Sequence, residues 1–457
     1  MIILNIVIGL LGLGIMVFVH ELGHLVAAKL VGIDVEAFSL GWGRKLVGFE
    51  HNGTDYRISV FPIGGYCKMK GEEVLRAAWE EGRSTIPKEP GAFYTAPPLQ
   101  RIFVAIAGPT VNFLFAVLLL SFVWFVGYEI DTFENRVVLQ SDYQAVLGAA
   151  EETLPADDAG LRTGDVIVEI DGSSVETYRD IQEAVASSPD EQLDVTVRRD
   201  GRLVTTTVTP ALDAQSGAGR IGVYPWIDPV IEAVEQGSPA ERAGIQPGDT
   251  IVTAGGRDVE NSLDFVAAVD ENPTGIAIEV VRDGSTVEVE VVPTTGEDGT
   301  PRVGVAFRGV TVQTPEYGFF GAIGRGAREA VRTLVLAVRS IGLLFRGVDL
   351  TSAVAGPVRI TYLIGEVATE GFREGIGQGF SYVFNFLALL SVVLFFMNLL
   401  PIPALDGGQI VLFVWEGVTG RALRPKAVYR YQLVGTVLIL ALLVFAIFGD
   451  VLFLIRR

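Results

Sequence analysis

The chain has 457 residues, 49% of them hydrophobic, and a single cysteine, Cys67. This composition suits a membrane protein with an added soluble portion, and one thiol, expected to be structural, excludes an intramolecular disulfide and a cysteine-rich zinc site. Residues 129–316 hold 36 acidic and 12 basic side chains, a net charge of −24, so a nucleic-acid partner is not expected.

Four segments are apolar over about 20 residues, the length needed to cross a bilayer core. They lie near residues 2–28, 100–127, 378–400 and 432–454. The first has neither a basic start nor a small-residue cleavage site at its end, so we read it as a retained span. The sequence therefore predicts a multi-pass α-helical membrane protein with four spans.

Two of the three histidines lie four residues apart in the run His20-Glu21-Leu22-Gly23-His24, within the first span. Positions i and i+4 share one face of a helix, so both imidazoles can reach one metal ion, and Glu21 can contact a water there. Ionisable side chains at this depth are costly and therefore indicate function. The alternative is a pair of core histidines that happen to flank a glutamate.

The loop after the first span predicts a β-hairpin over residues 35–68. Tyr56, Ile58 and Val60 alternate with polar residues, and a hairpin-turn signal, Asn52-Gly53, precedes them. His51, just before this turn, is expected to be solvated and not a ligand. We expect Tyr56, Ile58 and Val60 to form an exposed strand edge that binds an unwound substrate segment. The alternative is an ordinary cytoplasmic hairpin.

The acidic region contains an internal repeat. The stretch 159–167 recurs at 243–251, and Arg199-Asp200-Gly201 matches Arg282-Asp283-Gly284. A repeat of this length is a whole domain, and each copy shows short strand patterns with a helix between them. The copies resemble tandem PDZ domains of the bacterial protease-associated type. The resemblance implies that they either bind peptides as an added strand or serve as spacers.

After the repeats, arginines recur at helical spacing between residues 318 and 346, opposite an apolar face. This pattern predicts an amphipathic helix on the outer membrane surface, or one packed on the second repeat. The predicted organisation is a first membrane half at 1–128, PDZ domains at 129–220 and 221–312, an amphipathic helical segment at 313–376 and a second membrane half at 377–457.

A catalytic zinc normally has three protein ligands, so the histidine pair needs a partner. Asp406 is the best candidate, because it follows a stretch at the end of the third span that Pro401 and Pro403 keep from being helical. Irregular backbone at membrane depth is tolerated where it is buried in protein or lines a wet cavity. The alternative is a helix end with a polar turn.

Basic residues predict the orientation of the spans. The 29–98 loop carries nine Lys and Arg residues, and the short 401–431 loop carries four. Both loops are therefore expected in the cytoplasm, with the metal motif near that side and the acidic repeats outside it.

Taken together, these residues resemble the site-2-type intramembrane metalloproteases, specifically the bacterial regulator-of-sigma-E-protease type with two PDZ domains. The resemblance covers nearly the whole chain. It rests on His20 through His24, on Asn398 through Gly408, on Gly108-Pro109-Thr110-Val111-Asn112 and on Gly356-Pro357-Val358. Gly41-Trp42-Gly43 is similar to the family's membrane-associated loop motif. This chain departs from the pattern at Val393 and Phe395, where relatives often have Asn and Gly.

The resemblance implies one Zn²⁺ per chain, with His20, His24 and Asp406 as ligands and Glu21 as the catalytic base. It also implies substrate contacts by Asn398, Gly41 and Gly43. The implied protein lies in the bacterial inner membrane and cuts single-pass membrane proteins such as anti-sigma factors after a first cleavage. One alternative is that the same protease mainly clears remnant signal peptides. The other is that the protein is a non-enzymatic membrane scaffold with PDZ domains.

Overall fold

The computed structural model describes residues 2–148, 154–213, 216–296, 299–314, 317–344 and 355–455. In chain order the helices are α1 Ile2–Leu30, α2 Glu72–Glu80, α3 Pro98–Val126, α4 Gln144–Leu147, α5 Pro155–Asp158, α6 Tyr178–Ala186, α7 Pro239–Ala243, α8 Ser262–Glu271, α9 Phe319–Leu344, α10 Pro357–Glu374, α11 Ile376–Leu399, α12 Asp406–Thr419 and α13 Pro425–Ile455.

The strands are short except in the first hairpin. They are β1 Val35–His51, β2 Thr54–Met69, β3 Glu129–Thr132, β4 Val137–Leu139, β5 Val166–Ile170, β6 Ser173–Ser174, β7 Leu193–Arg199, β8 Arg202–Val208, β9 Ala211–Leu212, β10 Gly219–Arg220, β11 Val223–Pro225, β12 Ile231–Val234, β13 Thr250–Ala254, β14 Arg257–Asp258, β15 Ile276–Arg282, β16 Ser285–Val291, β17 Thr294–Thr295, β18 Pro301–Arg302, β19 Val305–Phe307 and β20 Val310–Gln313.

The chain forms two compact units, one of residues 1–128 with 314–457 and one of residues 129–313. In the first unit, among the described residues, α1, α3, α11 and α13 are long and apolar enough to cross a membrane. The four predicted spans are confirmed in this sense. Their apolar side chains favour helices that bury every backbone polar group internally, as a bilayer requires.

Helices α1 and α3 pack closely and antiparallel. A Cβ added at Gly23 of α1 would lie 2.6 Å from the carbonyl oxygen of Ala107 in α3. A Cβ added at Gly108 would likewise lie 2.3 Å from the Nε2 atom of His24. Only glycine allows the two helix backbones to come this near. The helical turn of α3 that contains Gly108 therefore packs directly against the turn of α1 that contains His24.

Helix α13 is held to the start of α10 by a buried carboxylate. Asp450 accepts hydrogen bonds from the backbone N–H groups of Gly356, Val358 and Arg359, at 2.8, 3.0 and 3.1 Å. These are the first N–H groups of α10, which have no partner within the helix. Asp450 thus acts as an N-cap supplied by another helix, which gives the Gly356-Pro357-Val358 run a structural role.

Helix α9 packs along the spans of the first unit. Trp124 of α3 donates a hydrogen bond to Glu329, and its ring lies 4.7 Å from the Arg325 guanidinium. Ala330 is fully buried beside residues of α3 and α11. The arginine face is therefore not solvated along its whole length, and the helix differs from the surface helix that its periodicity predicts.

The second unit contains two similar arrangements of strands. Sheet order β6-β5-β7-β8 in the first recurs as β14-β13-β15-β16 in the second. In each, the repeated sequence blocks meet: Arg199 forms two hydrogen bonds of 2.7 Å with Asp165, and Arg282 bonds Asp249 at 2.7 and 2.6 Å. Both aspartates are 1% exposed.

Strand pairing divides the two repeats a few residues later than the predicted boundary at residue 220. Strand β11 pairs with β4, and Ile221 is buried in the hydrophobic core of the first repeat. The last strand of the first repeat is therefore contributed by residues beyond the predicted boundary. Outside both repeats, β3 pairs with β20, so Thr132 lies beside Val310.

Candidate metal centre

Three predicted ligands meet at one point of the helical unit. His20 and His24 are one turn apart on α1, and Asp406 is the first residue of α12. Within the described residues, this is the one group of three His, Cys, Asp or Glu side chains whose donor atoms lie close enough to hold a metal ion. His51 lies exposed at the hairpin turn, away from this group.

The donor atoms have the spacing of a zinc site. The Nε2 atoms of the two histidines are 3.2 Å apart, and they lie 3.3 and 3.5 Å from the carboxylate oxygens of Asp406. Zinc holds nitrogen and oxygen ligands at about 2.0–2.2 Å, so tetrahedral ligand atoms are about 3.3 Å from one another. Two imidazoles and a carboxylate are also a ligand set that zinc accepts, so these residues fit the ion.

The chain reaches Asp406 through a strained turn. Helix α11 ends before Pro401, and Ala404 has a φ of 76°, a left-handed conformation that non-glycine residues rarely adopt. A Cβ at Gly407 would lie 2.3 Å from the carbonyl oxygen of Leu399. The backbone therefore turns back tightly on the end of α11, which brings Asp406 to the histidines.

The other end of α12 is anchored to α3. Arg101 is 1% exposed and forms a salt bridge with Glu416. Its guanidinium also lies 4.6 Å from the ring of Phe413. Charged hydrogen bonds and cation–π contacts both depend on direction, so together they restrict how α12 can pack against α3. They thereby help to fix the position of Asp406 at the start of α12.

The ligands open into a cavity of about 410 Å³ in which Glu21 and Asn398 also lie. The Glu21 carboxylate interacts with the backbone amide of Cys67. Burial raises the pKa of the Cys67 thiol, so the thiol stays protonated, in keeping with the structural role expected for it. The cavity therefore joins the predicted base, the predicted ligands and the predicted substrate-binding asparagine.

The hairpin folds over on itself, which corrects the predicted docking edge. Strand β2 residues 55–58 pair with residues 47–50 on one side and with residues 37–40 on the other. Tyr56 and Ile58 thus lie in an interior strand whose backbone is already paired, and Val60 follows them outside the cavity. The described part of the sheet has one free edge at residues 45–51, beyond residues 54–59, and the other at residues 65–69, which pair there with β1 alone.

The free edge at residues 65–69 borders the metal centre. Gly65, Tyr66, Cys67 and Met69 line the cavity, with Trp42. Gly41 and Gly43, which were predicted to contact substrate, do not line the cavity. Their φ values of 85° and 96° turn the backbone on either side of Trp42. The Trp42 ring lies 5.1 Å from the ring of Tyr66. The alternation of apolar and polar residues within 54–60 predicted a strand. The sequence has no comparable pattern that predicts the bend by which residues 65–69 reach the cavity.

Each histidine is also contacted through its other ring nitrogen. His24 Nδ1 lies 2.9 Å from the carbonyl oxygen of Val104, and His20 Nδ1 lies 3.3 Å from the side-chain amide of Asn112. Asn112 is fully buried. The sequence placed Asn112 in a run shared with relatives but gave it no role, because its contact depends on the register between α1 and α3.

Comparison with known proteins gives one family across the chain. The model of Peptidase family M50 matches residues 8–442. A protein of Treponema pallidum (strain Nichols), whose name describes a zinc metalloprotease, is 38% identical over 99% of both chains. The "Regulator of sigma E protease" of Haemophilus influenzae is 29% identical over 97% of both chains.

A third relative and one solved structure were also compared with the chain. The "Regulator of sigma-E protease RseP" of Salmonella typhimurium is 29% identical over 98% of both chains. The PDZ domain of an SdrC-like protein from Listeria monocytogenes is similar to 18% of this chain and 88% of that domain, with 18% identity and a TM-score of 0.16.

Proposed function

Because the chain belongs to peptidase family M50, the site-2 protease family, we propose that it is a zinc endopeptidase that cuts membrane-spanning segments. The observation that carries this proposal is the spacing of the donor atoms of His20, His24 and Asp406, from 3.2 to 3.5 Å, where α1 meets the start of α12. We further propose one zinc ion per chain.

The residues around the ion have distinct roles. His20, His24 and Asp406 would hold a Zn²⁺ ion, which would supply Lewis-acid chemistry by lowering the pKa of water and polarising the scissile carbonyl. Glu21 accepts the proton of the attacking water and passes it to the leaving amine. Asn398 donates a hydrogen bond to the backbone of the bound substrate from the wall of the cavity.

The substrate segment must be extended, because a helix hides its carbonyl groups in its own hydrogen bonds. We place it along residues 65–69, whose outer side has no partner strand among the described residues. An added strand there would run past Cys67, whose amide lies at the Glu21 carboxylate. This position replaces the Tyr56–Val60 edge and puts the substrate backbone at the metal centre.

We propose that the repeats are two PDZ domains outside the cytoplasm and that the metal centre lies near the cytoplasmic side of the inner membrane. The charge distribution supports this orientation: nine basic residues lie in the 29–98 loop, against a net charge of −24 over residues 129–316. The repeats would then restrict access by substrates with large outer domains.

The names of relatives suggest the substrate class. Two relatives are named for regulation of sigma E. We propose that this protein likewise cuts single-pass membrane proteins of the anti-sigma-factor type after a first cleavage. The Asn398 contact and the free strand edge would both bind backbone, so the segment would be selected by its ability to unwind more than by its side chains.

Metal content and cleavage together test the proposal. Purified protein should contain one zinc per chain, and Asp406→Ala should lose both the metal and the cleavage of a reconstituted membrane substrate. Glu21→Gln should keep the metal and lose cleavage, because Gln cannot accept the proton. Protein without zinc, or full cleavage by either variant, would contradict the proposal.

A further inference from the structure

The position of the two histidine rings determines which ring nitrogen carries hydrogen, given the zinc site proposed above. Both Nε2 atoms point at Asp406 and at each other, so these are the atoms that bind the ion. A neutral imidazole has one N–H, and a metal takes the lone pair of the other nitrogen. The Nδ1 atom of each histidine must therefore be the donor.

His24 already meets this requirement. Its Nδ1 lies 2.9 Å from the carbonyl oxygen of Val104 on α3, and a carbonyl oxygen can only accept. The ring is thereby held with Nε2 towards the ion. His20 needs an equivalent acceptor at its own Nδ1.

The group at His20 Nδ1 is the side-chain amide of Asn112. The nearer amide atom is Nδ2, at 3.3 Å, which as a donor would face the N–H of a metal-bound His20. The Oδ1 atom of the same amide is buried and has no hydrogen-bond partner in the described part of the chain. Rotation of the amide by half a turn exchanges the two atoms, and the orientation of an Asn amide is assigned from such partners.

We propose that Asn112 is a positioning residue for zinc, whose Oδ1 accepts the hydrogen of His20 Nδ1. Gly108 and Asn112 lie one turn apart on α3 and face His24 and His20, one turn apart on α1. Helix α3 thus supports both histidines: it gives His24 space and a carbonyl acceptor, and it gives His20 an amide acceptor. Such partners fix the tautomer and ring orientation of a metal ligand.

Two substitutions separate acceptor from donor at this position. In the full-length protein in detergent, Asn112→Asp keeps an acceptor of the same shape, and Asn112→Leu removes it. We expect Asn112→Leu to raise the zinc dissociation constant by about 10- to 100-fold in chelator competition, and Asn112→Asp to stay within about threefold of the natural protein or to bind tighter. Asn385→Leu, which removes an amide that donates to the Ser381 carbonyl within α11, is the matched control and should leave zinc binding unchanged.

Each outcome decides the role. Weak zinc binding by Asn112→Asp would overturn the proposal, since it would mean that the amide acts as a donor. Natural affinity in Asn112→Leu would overturn it as well, because no acceptor would then be needed. If the natural protein binds no zinc, the proposed metalloprotease itself fails, and this result is distinct from a change confined to the Asn112 variants.

Discussion

Gly108 is the residue that lets His24 lie between α1 and α3. The His24 ring fills the space where a side chain on Gly108 would be, with Nε2 only 2.3 Å from the added Cβ. His24 is also held through Nδ1 at Val104. A methyl group at Gly108 therefore has to push the imidazole or separate the helices, and either movement displaces a metal ligand.

We expect Gly108→Ala to weaken zinc binding by on the order of 10- to 100-fold, the range seen when a ligand loses its support. Chelator competition on the purified protein measures this. The control is Gly14→Ala on α1, where an added Cβ meets nothing within 4 Å. If the Gly108→Ala and Gly14→Ala variants bind zinc equally well, His24 can accommodate a methyl group at residue 108 without losing the metal, and the prediction is wrong.

The sequence could predict the ligands but not their supports. His20 and His24 share a helix, so their spacing alone brings them together, and the broken helix around Pro401 points to Asp406. The contact of Asn112 with His20 and the close approach of Gly108 to His24 depend on the packing of two helices about 80 residues apart. No local pattern encodes that register.

The hairpin shows the same limit for a secondary-structure element. The turn at Asn52-Gly53 was predictable, and both residues have positive φ there. However, each strand bends, so residues 55–58 become an interior strand and residues 65–69 become an edge. Which backbone is free depends on this second fold, and an alternating pattern cannot reveal it.

We expect Cys67→Pro to reduce cleavage at least tenfold, because it removes the one edge amide that contacts Glu21 and that an added strand would take over as its donor. Cys67→Ala is the matched control, since it keeps the amide and removes only the thiol. Cleavage of a reconstituted transmembrane substrate gives the rates, and zinc content shows whether the site remains intact. If the proline variant retains zinc and cleaves at the natural rate, substrate does not add to this edge.

The Asp–Arg pairs explain why two separated sequence blocks recur together in the repeats. In the second repeat, Arg282 hydrogen-bonds both carboxylate oxygens of Asp249 and also the carbonyl of Gly244. The pair thus joins the last residue of β15 to the turn before β13. Its twin, Arg199 with Asp165 and Gly160, does the same in the first repeat.

The hydrogen bonds from Arg282 hold the pKa of Asp249 below its ordinary value. A carboxylate with a lowered folded-state pKa stabilises the fold above its unfolded pKa of about 3.9, and this stability is lost as the pH falls through the folded value. Loss of the charged hydrogen bonds should cost about 1.5–3 kcal/mol. At pH 6, Asp249→Asn should therefore speed hydrogen exchange in β15 by roughly 10- to 150-fold.

The ratio of exchange rates between variant and natural protein at one pH removes the intrinsic pH dependence of exchange. This ratio should decline towards one as the pH is lowered below about 4. Asp165→Asn serves as the control, because its effect should appear in β7 and not in β15. A ratio for β15 that stays constant with pH would mean that the charge of Asp249 does not stabilise the repeat.

At the scale of the whole molecule, residues 129–313 are inserted between α3 and α9. The two points at which the chain leaves and re-enters the helical unit, Tyr128 and Thr314, lie next to each other. Tyr128 and Thr314 are joined by backbone and side-chain hydrogen bonds of 2.9–3.0 Å. Beyond them, β3 and β20 pair over four residues each. The two repeats are therefore attached through one antiparallel pair of strands, which marks where they can be removed.

We expect replacement of residues 133–309 by Asn-Gly to retain the metal centre and widen the choice of substrates. Thr132 and Val310 are directly paired, so a two-residue hairpin turn can connect β3 to β20 without disturbing either strand. If the repeats restrict access, the shortened protein should cut membrane substrates whose outer domains are intact, which the full chain should leave uncut. The same replacement in Glu21→Gln protein controls for other proteases. Unchanged selectivity in a shortened protein that still cuts the trimmed substrate would reject the filter role, because the enzyme would then be choosing its substrates within the membrane unit alone.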